Sequence, residues 1–228
     1  MIFSDFHLNR VILELRYKNG FLYWDNCGAA LLEILKKFPE WKWERTSTDL
    51  TILKEKERNI EVSFNIHNIR FIQDEVDNLS QFKKASAEIT PIILEKIKID
   101  NFSRIGNRFL YNSKLNSIEQ GKKLIQKSKF IEISDEKLFL FGKSPIKTAF
   151  TIYFENDGLQ YRIEVKTIER IEPPKNIKIN ETFFPKFGLE VDIDIANITK
   201  TDALAFNCEK FIQNNYKFLE NNLIKFIN

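Results

Sequence analysis

The stretch Ile146-Lys-Thr-Ala-Phe-Thr-Ile-Tyr-Phe-Glu155, Asn156-Asp157-Gly158, Leu159-Gln-Tyr-Arg-Ile-Glu-Val-Lys-Thr-Ile-Glu-Arg-Ile171 places an Asp-Gly pair between two alternating runs. Asp-Gly supplies the positive φ angles of a tight hairpin turn, so the stretch predicts two antiparallel strands. In the second run Tyr161, Ile163 and Val165 are expected to face a core, with Arg162, Glu164 and Lys166 on the other side. The same pattern recurs along the chain. Leu13, Leu15 and Tyr17 alternate with Glu14 and Arg16 in Val11–Tyr17, and Ile60, Val62 and Phe64 alternate with Glu61, Ser63 and Asn65. Trp41–Thr46, Leu50–Lys54, Ile69–Asp74, Arg104–Tyr111 and Leu189–Ile195 read as further strands, with Gly106 marking a bulge.

Helical spacing separates these runs. Asp25 is the expected cap of a helix carrying Ala29, Leu32, Leu35 and Phe38 and stopped by Pro39. A second helix starts at Asn78, with Gln81 completing a capping box and Leu79, Phe82, Ile89, Ile93 and Ile97 inward; Pro91 predicts a kink or break in it. Ser117–Ser128 is a short polar helix with Ile118, Leu124 and Ile125 inward, and Pro173-Pro174 marks a loop. Thr201–Phe226 closes the chain as a helix with Leu204, Cys208, Phe211, Ile212, Leu219, Leu223 and Phe226 on one stripe. Strands in runs, backed by long helices, indicate an α+β fold. Two similarly ordered strand-helix-strands-helix halves, 1–99 and 100–228, are expected to form one continuous body. It would be one curved antiparallel sheet or two joined sheets, with a long helix on the concave side of each.

Composition narrows the chemistry. The 228 residues are 43% hydrophobic and 29% charged, with seven glycines, two histidines and two cysteines. Multi-histidine metal sites are therefore impossible, and a Ser-His or Cys-His mechanism would need His7 or His67. Neither lies at motif spacing from an acid or a cysteine. Cys27 and Cys208 form no Cys-x-x-Cys pair, and Cys208 falls on an apolar helix stripe. Phosphate-cradling glycine loops, Gly-x-Ser-x-Gly and His-Glu-x-x-His are missing from the sequence. The opening MIFSDFHLNR lacks a signal-peptide pattern and no run of about 18 apolar residues occurs, so a cytoplasmic protein with no membrane partner is expected. The net charge of +3 is too weak to name nucleic acid as a partner.

Three segments resemble a sporadically distributed, functionally uncharacterised bacterial protein family: Val-Ile-Leu-Glu-Leu-Arg-Tyr at Val11–Tyr17, Arg104-Ile-Gly-Asn-Arg-Phe-Leu-Tyr-Asn112, and Leu189, Val191, Asp192, Ile193 and Asp194 before a long helix. Asn107 stands where that family usually has Leu, one extra residue precedes Asn112, and the family's N-terminal Pro-Pro or Pro-Ile is missing. The resemblance implies a cytoplasmic bacterial protein from a patchily inherited gene, typical of defence or toxin–antitoxin neighbourhoods. It implies no chemistry.

The sharpest constellation is Glu190, Asp192 and Asp194, three carboxylates on one strand face. They would hold Mg²⁺ for phosphoryl transfer or pair with the Arg162, Glu164, Lys166 row, and pairing is the favoured reading. Arg104 and Arg108, with Lys122, Lys123, Lys127 and Lys129 on the next helix, suit phosphate, but Glu119, Glu132, Asp135 and Glu136 interleave with these lysines. Trp24, Trp41 and Trp43 concentrate in the first half; Trp41 and Trp43, two apart in one strand, are a candidate hot spot or a core cap. Lys54–Arg58 reads as a solvated turn. Candidate binding residues are thus Arg104, Arg108, Arg162, Lys166, Trp41 and Trp43, with no catalytic residue and no cofactor assigned. The expected function is a non-enzymatic interaction protein with a protein partner, of accessory, antitoxin or immunity type. The alternatives are an RNA-binding protein or ribonuclease and a divalent-metal enzyme.

Overall fold

The computed structural model describes residues 5–18, 20–128, 148–170 and 179–227. In chain order the elements are β1 (Phe6–Tyr17), α1 (Tyr23–Lys37), β2 (Lys42–Ser47), β3 (Leu50–Glu55), β4 (Ile60–Phe64), β5 (Asn68–Asp74) and α2 (Leu79–Ile97). They continue with β6 (Asn101–Lys114), α3 (Ile118–Lys127), β7 (Ala149–Asn156), β8 (Leu159–Glu169), β9 (Phe187–Asn197), β10 (Thr201–Asp202) and α4 (Cys208–Ile227). The fold is α+β, and the described residues build one ten-stranded antiparallel sheet rather than two joined sheets.

Strand order is β2-β3-β4-β5-β1-β6-β9-β8-β7, with β10 paired to β6. Each half therefore sets its first strand innermost, lays its late strand β5 or β9 beside it, and runs outward as a meander. The halves meet where β1 pairs antiparallel with β6, Leu13 opposite Asn107. Register carries one row across the sheet through Leu53, Val62, Phe71, Leu13, Asn107, Ile195 and Tyr161. This face holds the helices: Tyr23 of α1 bonds Thr51, Tyr216 and Phe218 of α4 meet Phe109 and Tyr161, and Gly121 of α3 sits against Thr167. Helix α2 touches both α1 and α4.

Several local expectations are corrected. The buried stripe of α1 is Tyr23, Ala30 and Ile34, while Ala29 and Leu32 face outward and Asp25 lies in the first turn rather than at the cap. Burial of Tyr23 over β3 sets this rotation. Helix α2 is continuous through Pro91, which is exposed, so there is no break there; Ile89, Ile92, Ile93 and Leu94 on either side are held in the core. Its cap Asn78 accepts from the Ser80 N–H. Gly106 is in register between Glu14 and Ala196, and the irregularities of the β1–β6 pair lie at Leu8/Arg10 and Arg16/Tyr17. The final helix begins at Cys208, not Thr201: Thr201 and Asp202 pair with Phe102 and Asn101, and the Asp202 carboxylate accepts from the Leu204 and Ala205 N–H groups. Leu204 is left exposed. Ile146, Ile171, Pro173, Pro174, Lys129, Glu132, Asp135 and Glu136 lie outside the described residues.

Candidate functional site

Alternation along β1, β6, β9 and β8 puts Glu14, Arg16, Arg104, Arg108, Glu190, Asp192, Asp194, Arg162, Glu164 and Lys166 on the face opposite the helices. Arg108 grips Asp192 through two bonds, Nε to Oδ1 at 2.7 Å and Nη2 to Oδ2 at 2.6 Å. Arg162 reaches the same Oδ2 at 2.5 Å and turns its Nη1 to Glu164 at 2.9 Å. Lys166 bridges Glu164 at 3.2 Å and Glu190 at 2.8 Å. Arg104 joins Asp194 at 2.9 Å to Glu14 Oε1 at 3.3 Å, and Arg16 shares that same Glu14 oxygen at 2.5 Å. Five carboxylates and five cations make a lattice of two neighbouring chains, Arg108-Asp192-Arg162-Glu164-Lys166-Glu190 and Asp194-Arg104-Glu14-Arg16.

Gly106 makes part of it possible. A Cβ there would lie 2.3 Å from Arg104 Nη1, so the missing side chain is what lets the Arg104 guanidinium fold across the strand. The centre is Asp192, whose side chain is only 3% exposed. Burial alone would raise its pKa, but the hydrogen bonds and charges of Arg108 and Arg162 outweigh this and hold it below the usual carboxylate value.

The lattice uses up the charges that the sequence offered to ligands. Glu190, Asp192 and Asp194 are each taken by a lysine or arginine. Among the described residues no group of three or more His, Cys, Asp or Glu is placed to hold a metal ion. Arg104, Arg108, Arg162 and Lys166 are brought together, but each faces a carboxylate of the same sheet. His7 packs edge-on to Phe183, and His67 sits in a turn whose N–H groups are capped by Asn65. Cys27 and Cys208 are both unbridged; Cys208 is buried beside Thr90, and burial pushes its thiol up to about 11.

A different surface gathers apolar groups. Trp41 precedes β2 and is buried, whereas Trp43 within it is 57% exposed. The outward residues of α1 and its lead-in are bare as well: Phe21, Leu22, Trp24 and Leu32 are 60, 40, 55 and 69% exposed. The two tryptophans flank one turn, Trp43 Nε1 donating to Thr46 Oγ1 and Trp24 Nε1 to the Thr48 carbonyl, and Phe21 stacks on Trp24. Gly28 sits between Trp24 and Leu32, four residues from each, and a Cβ there would meet nothing within 4 Å among the described residues. Helix α1 therefore carries two apolar stripes, one buried and one bare. A reading from Tyr23 instead of Ala29 would have exposed this second stripe in the sequence.

Compared with known proteins, the chain matches no family model and no curated protein. No helix among the described residues is long and apolar enough to cross a membrane.

Proposed function

We propose that this chain is a non-enzymatic interaction protein that docks a protein partner on the corner formed by α1 and β2. It would serve as an accessory, antitoxin or immunity-type component, the class to which the family resemblance leads. One observation carries this reading: large apolar side chains of α1, its lead-in and β2 stand exposed, and among the described residues nothing lies within 4 Å of a Cβ built on the mid-helix Gly28. At ~200 Å² per large side chain, their exposed parts total on the order of 500 Å², the size of a functional patch on a soluble protein. Glycine inside a helix costs about 0.5–1 kcal/mol relative to alanine, and its use is close approach of another backbone. The partner is thus expected to present an apolar helix or ridge that lies over Gly28, with Trp24, Leu32 and Trp43 as its anchors.

The test is recovery of a stoichiometric partner by the tagged chain expressed in its own host, beside a Trp24→Asp/Leu32→Asp variant. Wild type should retain the partner and the variant should lose it while still unfolding cooperatively, with a somewhat lower melting temperature because Trp24 gives up its bond to the Thr48 carbonyl. Failure of wild type to retain any stoichiometric protein, or undiminished recovery by the variant, would refute the proposal.

A further inference from the structure

At one end of the sheet a pocket of about 490 Å³ is lined by Lys18, Lys98 and Lys200, with Asn101, Ser103 and Ile198 beside them. The lysines come from three places that are distant in sequence: the end of β1, the residue that closes α2, and the connection from β9 to β10. Each is exposed. On the ion-paired face Arg16, Arg104, Arg108, Arg162 and Lys166 each meet a carboxylate. Here, among the described residues, none of the three lysines lies within ion-pair distance of one, and a single carboxylate, Asp100, lines the pocket against them.

Lys98 supplies an independent observation. Its φ is 59°, the left-handed conformation that glycine adopts at least cost where a helix ends. Its N–H donates to the Leu94 carbonyl, a task that any residue's backbone performs. What lysine adds at this strained position is a cation in the pocket.

We propose that this pocket binds a small polyphosphate anion, the di- or triphosphate of a nucleotide, with Lys18, Lys98 and Lys200 sharing its charge. Ammonium groups serve phosphate as point charges, and the pocket has the volume of a small-molecule site rather than a strand-length groove. The half-exposed Ile198 offers an apolar wall next to the cations.

Calorimetric titration of the full chain with pyrophosphate and, separately, with ATP tests this, with a short single-stranded RNA as competitor. Both polyphosphates should bind at one saturable site and weaken as salt is raised. Lys200→Gln should weaken binding by about five- to tenfold. Lys98→Gly should weaken it by a similar factor while raising the melting temperature, because glycine relieves the left-handed strain. Those opposite movements separate a lost cation from a damaged fold. The proposal is overturned if neither polyphosphate binds at low salt, or if both variants bind like wild type. RNA binding that neither polyphosphate displaces would overturn it too.

Discussion

Asp192 shows how one side chain can be charged and nearly inaccessible at once. Two guanidiniums stabilise its ionised form, so its folded pKa lies below the ordinary 3.8. A depressed carboxylate contributes stability that is full above the unfolded value and is lost as pH falls through the folded one. Asp192→Asn should therefore lower stability at neutral pH by about 1–3 kcal/mol, a range discounted because Arg108 stays partly in water. The variant's loss on acidification below pH ~4 should be shallower than the wild type's. Urea denaturation from neutral to acid pH checks both, and parallel curves would count against the lattice. Alternation in the sequence was enough to align Glu190, Asp192 and Asp194 with Arg162 and Lys166. It did not show that Arg108 would bond diagonally to Asp192 instead of Asp194, which stands opposite it. That choice follows from register and from the space above Gly106, neither of which is visible along a single strand.

Helix α1 was legible as a helix and illegible in its rotation. Both of its faces carry apolar residues, so periodicity admits two registers, and contact with β3 through Tyr23 decides between them. Pro91 is the complementary case, where a strong local signal for a break stands inside a continuous helix with buried residues on either side. The bare stripe of α1 yields its own prediction. Gly28→Ala adds a methyl group into open space and improves helix propensity, so thermal or urea unfolding should show a gain of about 0.5–1 kcal/mol. The same variant should bind the docked partner more weakly, because the added carbon occupies the line of closest approach. A variant both more stable and equally competent would remove the reason for a glycine there.

Across the whole molecule, the α+β class and the hairpin at Asp157-Gly158 were readable because they are local: patterns of two and of three to four residues, with turn chemistry between them. Strand order was not, since the pairing of β1 with β5 and β6, and of β6 with β9, joins segments far apart in sequence. The resulting sheet has one face under helices and one carrying its own ion pairs, and the α1–β2 corner bears large exposed apolar side chains. Hydrogen exchange of the chain alone and saturated with its co-purified partner tests this assignment most directly. Exchange is expected to slow over residues 21–32 and 43–48 and to stay unchanged over β6, β8 and β9. Slowing concentrated in Asn101–Lys114 and Phe187–Asn197 would instead put the partner on the ion-paired face and contradict the docking site proposed on α1 and β2.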